Sequence, residues 1–399
     1  MSVALKEAPE TGISVGPEVS IVMPCLNEAD TLKQCIQKAH EGLAAAGIEG
    51  EIVVADNGST DGSQEIARTA GARVVPVEAP GYGNALMGGI AAARGKYVIM
   101  GDADDSYDFR EVGKFVAKLR EGYELVQGCR LPKGGGRTLP GAMPFLHRWW
   151  GNPMFSIMAR WWFSAPINDV YCGLRGFTKT LYQQLDQRCT GMEFATEMII
   201  KASMNGARIS EVPITLHPDG RVAHRPHLKT FRDGWRTLRF FLLFSPRWLF
   251  FIPGLILIGL GILGYGVALP RLTIDRVTFD AHTLLFASLW LLCGYQLVVF
   301  AIFTKTFAIN EGLMPMTKRV QAFYKVVTLE RGLVFSLIML LLGLVLLGFA
   351  VNQWRLSGFG NLDYSQTMRL VIPGATLTML ATQTLFSSFF ISLLGLQRR

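Results

Sequence analysis

The sequence predicts an α/β domain built on a mainly parallel sheet, followed by an α-helical membrane domain of four transmembrane helices. Two observations predict it. Before residue 228, short apolar runs alternate with helical patterns, each run ending in a polar loop, which is the rhythm of strand–helix–strand units. Beyond Trp248 come four apolar stretches, 248–269, 282–304, 333–351 and 371–395, each near the ~20 residues that cross ~30 Å of hydrocarbon. Four such stretches joined by short charged loops cannot all be core helices, because nothing polar would remain outside them.

The elements follow in order. An apolar run from Val19 stops at Pro24, passes through Asn27-Glu28 and enters a helical pattern over 30–46. The next unit repeats this with 51–55, the loop Asp56-Asn57-Gly58-Ser59-Thr60-Asp61-Gly62, and a helix to Ala70. A third strand over 73–77 leads into Gly81-Tyr82-Gly83-Asn84 and a helix of small residues reaching Arg94. The fourth strand starts at Tyr97 and ends abruptly in Asp102, Asp104 and Asp105. Open α/β sheets bind ligands beyond the carboxyl ends of their strands. Asn27, Glu28, Asp56, Ser59, Asp102 and Asp104 are therefore expected along one edge.

The acidic end of the fourth strand is the chemical centre. Carboxylates at i and i+2 on a segment leaving a sheet can turn toward one point and share a hard divalent cation such as Mg²⁺ or Mn²⁺, which keeps open positions for phosphate oxygens. Helix capping is the plainer alternative, since Asp105, Ser106 or Asp108 can satisfy the free amides of a helix starting near Phe109. Two phosphate motifs fail. Gly81-Tyr82-Gly83 has Leu86 where a dinucleotide fingerprint needs its third glycine, and Gly95-Lys96 has Ile90 where a P-loop needs its first.

Charge sets the topology. The net charge of +8 gathers beside the apolar stretches. Lys229, Arg232, Arg236, Arg239 and Arg247 precede the first; Lys305, Lys318, Arg319, Lys325 and Arg331 lie between the second and third; Arg398 and Arg399 follow the fourth. The remaining two loops carry only Arg271, Arg276, Arg355 and Arg369. By the positive-inside tendency, both termini and the soluble domain face the cytoplasm of an inner membrane. A basic balance distributed this way points to a membrane surface and away from nucleic acid. Residues 1–17 read as a disordered tail, 18–228 as the soluble domain, 229–247 as an interfacial amphipathic helix and 248–399 as the membrane domain. The six cysteines show no metal-finger spacing and suit a reducing compartment.

Taken together, Val19-Ser20-Ile21-Val22-Met23-Pro24 with Asn27-Glu28, then Val54 to Gly62, then Gly101-Asp102-Ala103-Asp104 resemble a family 2 glycosyltransferase of the GT-A, Rossmann-like fold. Gly128-Cys129-Arg130, Asp169 to Phe177 and Glu211-Val212-Pro213-Ile214 resemble the polyprenyl- and dolichol-phosphate sugar synthase group. The resemblance implies an inverting transfer of a hexose from a nucleotide sugar to a polyprenyl phosphate, in the service of cell-envelope glycans. It implies that Pro24, Asn27, Glu28, Asp56, Ser59 and Asp102 line the nucleotide sugar, with Asp56 on the base or ribose. Asp102, Asp104 and Ser106 would hold Mg²⁺ or Mn²⁺ and the diphosphate. Mannose synthases commonly carry Gln where Ser106 stands, which places a UDP-sugar such as UDP-glucose ahead of GDP-mannose.

Within that frame Asp169 is the candidate base or sugar-hydroxyl ligand, or else a loop carboxylate capping the turn into Gly173. Glu193 and Glu197, one helical turn apart, either face the site or form a solvated helix face. Arg130, Arg148, Arg221 and Arg225 are the expected holders of the acceptor phosphate. Arg130 opens the glycine-rich loop 131–136, which is expected to close over substrate, and it follows a strand over 124–127. Arg148 lies in the aromatic stretch 147–163, with Trp149, Trp150, Trp161 and Trp162, which suits either core packing or a helix at the lipid interface. His224 and His227 lack a cysteine or acidic partner nearby, against zinc. A processive polysaccharide synthase is an alternative, but the Arg-Trp pairs lack the glutamine of Gln-x-x-Arg-Trp: Phe145, Ile157 and Phe244 stand there. A catalytically silent nucleotide-sugar-binding anchor is another, and the intact Asp102, Asp104 and Asp169 speak against it. The sequence leaves room for a homo-oligomer.

Overall fold

The computed structural model describes residues 16–221 and 230–395, with residues 230–233 described by backbone alone. The chain divides into two compact units, Met1–Leu238 and Arg239–Arg399. In the first unit the strands are β1 Val19–Cys25, β2 Gly50–Asp56, β3 Arg73–Pro76, β4 Tyr97–Met100, β5 Leu125–Cys129, the short β6 Arg137–Thr138, β7 Arg175–Thr178, β8 Ile209–Pro213 and the short β9 Thr215–Leu216. Seven of them form one sheet in the order β3-β2-β1-β4-β7-β5-β8. Every pairing is parallel except those of β7, which runs antiparallel to both β4 and β5.

The helices are α1 Leu32–Ala45, α2 Ser63–Thr69, α3 Tyr82–Ala92, α4 Val112–Arg120, α5 Asn152–Phe163, α6 Lys179–Leu185 and α7 Glu193–Met204. Helices cover both faces of the sheet, so β1 is buried along almost its whole length and reads as an unbroken apolar run, the mark of a parallel central strand. One large core joins β1, β2 and β4 to α1 and α4 through Ile36, Leu43, Phe109, Phe115 and Val116. On the opposite face α3 lies so close to the sheet that a Cβ on Gly89 would meet Val22. Parallel register sets Val19 against both Gly50 and Tyr97. The loops after β1, β2 and β4 consequently leave the sheet at one edge.

Several expectations need correction. The strand expected over 124–127 runs to Cys129, so Arg130 leaves directly from β5. In the loop 131–136, Pro132–Gly134 forms a single 3₁₀ turn with Pro132, Lys133 and Gly135 exposed, and Gly136 lies so close to the Cys129 carbonyl that a Cβ there would collide with it. Glu197 is neither solvated nor open to a ligand. It pairs with Lys201 at 2.8 Å and accepts the amides of Arg188 and Cys189, tying down the segment before α7.

The aromatic stretch divides between the two roles considered for it. A π-turn at His147–Gly151 leads into α5, which buries Asn152, Phe155, Ser156, Ala159 and Phe163. Trp149, Trp150 and Trp161 stay outside at 59%, 71% and 74% exposure, too open for core residues. In α8 Thr230–Leu243 the buried positions among the described side chains are Thr237, Phe240 and Phe241, while Trp235 is exposed.

In the second unit four helices are long and apolar enough to cross a membrane: Arg247–Ala268, Ala281–Asn310, Leu329–Leu356 and Tyr364–Leu394. The first is a π-turn running into α9 Ile252–Ala268; the others are α10, α12 and α13, with the short α11 Lys318–Val326 before α12. The last three outrun the apolar stretches because polar residues cap them beyond the hydrocarbon length. Asp280 accepts the Ala281 amide, Thr328 that of Arg331, and Asp363 that of Gln366. Glycines let backbones close, with Gly254 against Gly294 and Gly343 against Gly374.

Candidate active site

Each loop at the common edge is built by the side chains expected to bind there. Asp56 ends β2 at 1% exposure, and its carboxylate accepts the amides of Gly58 and Ser59 and the Gln64 amide group at 2.7 Å. Its oxygens therefore shape the loop at this edge. Ser59 Oγ accepts the Asn27 amide at 2.9 Å, and Asn27 Oδ1 accepts the Thr60 amide at 2.8 Å. Asn27 adopts φ +59°, a left-handed turn that asparagine tolerates, and half-buried Pro24 stands before it at the end of β1.

The carboxylates after β4 are held from two sides. Tyr82, at the start of α3, donates its hydroxyl to Asp102 Oδ1 at 2.8 Å. Gly173 lies against the other oxygen, so close that a Cβ there would stand 2.7 Å from Asp102 Oδ2. Burial and the neighbouring Asp104 push the Asp102 carboxyl up to about 6. Ser106 donates its hydroxyl to Asp104 Oδ1 at 2.6 Å, so it orients the carboxylate expected to share a metal with it. Asp105 points elsewhere, to Lys38 at 2.7 Å, and Asp108 caps the turn at Phe109–Glu111.

Arg221 faces this pair. Its guanidinium reaches Glu28 at 3.0 Å, Asp104 at 3.3 Å and Asp219 at 2.7 Å. Glu28 Oε2 is buried without a partner, and burial raises the Glu28 carboxyl to about 7 against the pull of Arg221.

The structure overturns the expectation for Arg130 and Asp169. Arg130 was expected to face an incoming phosphate, yet its Nε and Nη2 donate to the two oxygens of Asp169 at 2.7 and 2.8 Å and its own amide adds a third bond. Asp169 is fully buried, so neither oxygen is open to act as a base or to take a sugar hydroxyl. The pair is part of a chain of contacts: Arg130 Nη1 donates to Tyr107 Oη, which also accepts the Gly173 amide, beside Asp102. Arg148 stands over the Trp149 ring at 5.5 Å, and Arg225, with His224 and His227, lies outside the described residues.

Sequence reasoning missed Tyr82, Tyr107 and Asp219. Tyr82 sits inside the glycine motif set aside as a failed fingerprint, which was its one visible signal.

A divalent cation fits here by the chemistry of the donors. Asp102 and Asp104 are hard oxygen ligands whose shared charge is poorly neutralised, and Glu28 Oε2 adds an unpartnered oxygen nearby. Among the described residues no group of three His, Cys, Asp or Glu side chains converges as a metal site.

A parallel sheet with helices on both faces, carboxylates at the end of β4 and four spanning helices define a membrane-bound α/β transferase. The family 2 glycosyl transferase model matches residues 20–185, and the model for the C-terminal transmembrane region of family 2 glycosyltransferases matches 302–395. The chain is 36% identical over 389 residues to the low-salt glycan biosynthesis hexosyltransferase Agl6 of Haloferax volcanii, covering 96% of this chain and 90% of that one. It is 32% identical to a dolichyl-phosphate hexose transferase of the same organism, over 49% of this chain and 82% of the relative. Glucosyl-3-phosphoglycerate synthase from Mycobacterium tuberculosis is a distant structural likeness, at TM-score 0.44 and 22% identity over 60% of this chain and 84% of that one. The chain belongs to glycosyltransferase family 2 and is an integral membrane enzyme.

Proposed function

We propose that the protein is a non-processive, inverting hexosyltransferase that moves glucose or a related hexose from a UDP-linked donor to polyprenyl or dolichyl phosphate. One observation carries the reading: Asp102 and Asp104 at the carboxyl end of β4, ringed by Glu28, Tyr82 and Arg221, in a chain with four membrane-spanning helices. The name of the dolichyl-phosphate hexose transferase relative supports the acceptor class. Ser106 in the glutamine position supports a UDP donor.

Departure of a nucleoside diphosphate builds negative charge on the leaving phosphate. Mg²⁺ or Mn²⁺, when bound, supplies the electrostatic stabilisation of that charge. Asp102 and Asp104 would hold the ion, with Tyr82 and Ser106 fixing the two carboxylates. Pro24, Asn27, Glu28, Asp56 and Ser59 frame the nucleotide, Asp56 by shaping its loop. The acceptor phosphate is already anionic at pH 7, so positioning matters more than proton removal. The commitment of Asp169 to Arg130 is compatible with such chemistry. Arg221 and, outside the described residues, Arg225 supply positive charge for the acceptor, while Arg148 and the exposed tryptophans of the α5 segment suit the headgroup level of a bilayer. The basic flanks of the spans support a cytoplasmic active site and cytoplasmic termini at the inner membrane.

A panel of UDP- and GDP-hexoses incubated with the membrane-reconstituted enzyme and polyprenyl phosphate tests this reading, with products identified by mass. One hexose per lipid is expected, with Asp104→Asn losing most turnover. A polymer, or transfer that survives EDTA unchanged, would overturn it.

A further inference from the structure

Among the described residues Arg221 is the cation paired with Asp104, and the segment before it is bonded to the acidic loop. The His217 amide donates to the Ser106 carbonyl at 2.9 Å and the Gly220 amide to the Asp104 carbonyl at 2.9 Å, so the segment entering Arg221 is stitched to the segment bearing the acidic pair. The guanidinium then distributes itself unequally. Asp219, two residues back, accepts from the Arg221 amide, Nε and Nη2, a local tether with contacts of 2.7–3.1 Å. Asp104 receives only Nη2, at 3.3 Å, and Glu28 only Nη1, at 3.0 Å. One guanidinium therefore serves three carboxylates, with Asp102 as a further acid close by and one Glu28 oxygen unmet. One positive charge among that many acids leaves the cluster short of cation.

We propose that Arg221 is an exchangeable cation: it neutralises Asp104 and Glu28 while no donor is bound, is displaced when a divalent ion and nucleoside diphosphate arrive, and then turns to the acceptor's phosphate. Asp219 keeps the side chain in place during the exchange, because its contacts are local and do not depend on Asp104. A guanidinium released from two carboxylates is a strong ligand for phosphate oxygens. Donor loading thereby creates the acceptor site, and the enzyme binds donor before acceptor. The acceptor half of this inference rests on the lipid-phosphate reading above; the displacement of Arg221 does not.

Two measurements on the full-length protein in detergent test it. Free Mn²⁺ is followed by electron paramagnetic resonance with no nucleotide or lipid present. Arg221→Ala should bind Mn²⁺ on the order of tenfold more tightly than wild type, because a competing cation has gone, whereas Arg221→Lys should change less. Equal or weaker Mn²⁺ binding by the alanine variant would overturn the exchange. Site-resolved modification of the wild type by phenylglyoxal needs no folded variant: the Arg221 adduct should form several-fold faster once Mn²⁺ and UDP are added, and an unchanged or slower rate would refute its displacement. Polyprenyl phosphate binding should tighten roughly tenfold with Mn²⁺ and UDP in wild type and lose that gain in Arg221→Ala. If Mn²⁺ tightens in the variant but the wild type never binds the lipid, the exchange stands and the lipid-phosphate acceptor falls.

Discussion

Arg130 and Asp169 show how one contact changes the meaning of two residues. Taken separately, a guanidinium after a strand and an acid in a later loop suggest an acceptor ligand and a base. Joined by two parallel bonds and buried, they are a structural pair. Removing one partner of such a pair leaves an uncompensated charge, which costs about 3–5 kcal/mol, whereas replacing both with apolar groups of similar volume can be neutral. Arg130→Ala should therefore lower the unfolding temperature sharply, and adding Asp169→Leu to Arg130→Met should recover much of it. Thermal unfolding of the purified enzyme checks this. A normal melt for Arg130→Ala with selectively poor lipid-phosphate use would restore the acceptor role. The Asp102 and Asp104 pair was legible because it is local, two acids at the end of an apolar run. The ion pair was not, because its members are 39 residues apart in sequence and meet only in the folded chain.

Among elements, the legible ones were those with a clean period. β1 to β4 and the helices between them follow from apolar runs punctuated by glycine and acid. β7 escaped because Arg175-Gly176-Phe177-Thr178 shows no apolar run, and the buried Arg175 makes sense only once it donates to the Cys172 carbonyl and that of Ala195. At the far end of the strands Glu51 joins three elements: Ser20 Oγ and the Arg94 amide donate to Oε1 at 2.7 Å, and Arg73 grips Oε2 at 2.7 and 3.1 Å. Burial pushes this carboxyl upward, but the bonds from Arg73, Ser20 and Arg94 outweigh it and hold the carboxyl below its usual range. A lowered folded value means that the stabilisation is complete above the unfolded value of ~4.3 and is lost as pH falls through the folded one. Glu51→Gln should cost about 1–2 kcal/mol at pH 7, and the gap between mutant and wild type should narrow as pH falls below the unfolded value. Chemical denaturation across that range measures it; a gap that persists in acid would remove the charge from the explanation.

At the scale of the whole molecule, the spans were legible and their polar bonds were not. α10 and α13 run in the same direction, bonded from end to end: Arg369 to Asp280 at 2.9 Å, Tyr295 with Thr384 at 2.6 Å, Gln383 to Gln296 at 3.1 Å, and Asn310 to the Leu394 carbonyl. Parallel spans put the ends of α10 and α13 on one side, together with the starts of α9 and α12. That side carries Arg247, Lys305, Lys318, Arg319, Lys325 and Arg331. On the other side two of the four arginines are already engaged, Arg369 with Asp280 at 2.9 Å and Arg271 with the same acid at 3.6 Å. Six basic residues against four beside the span ends mark the first side as cytoplasmic, because the count of Lys and Arg near the spans biases orientation. The expected topology follows: a reporter fused after Arg399 reads cytoplasmic, while single cysteines placed in 270–280 and 357–363 react with a membrane-impermeant maleimide in intact cells. Asp280→Asn would leave Arg271 and Arg369 without their acid, but the count of four basic residues against six is unchanged, so the orientation should hold. A C-terminal reporter that reads outside, with both loops protected, would show that the charges do not set the orientation and would move the Asp102 site to the opposite side of the membrane.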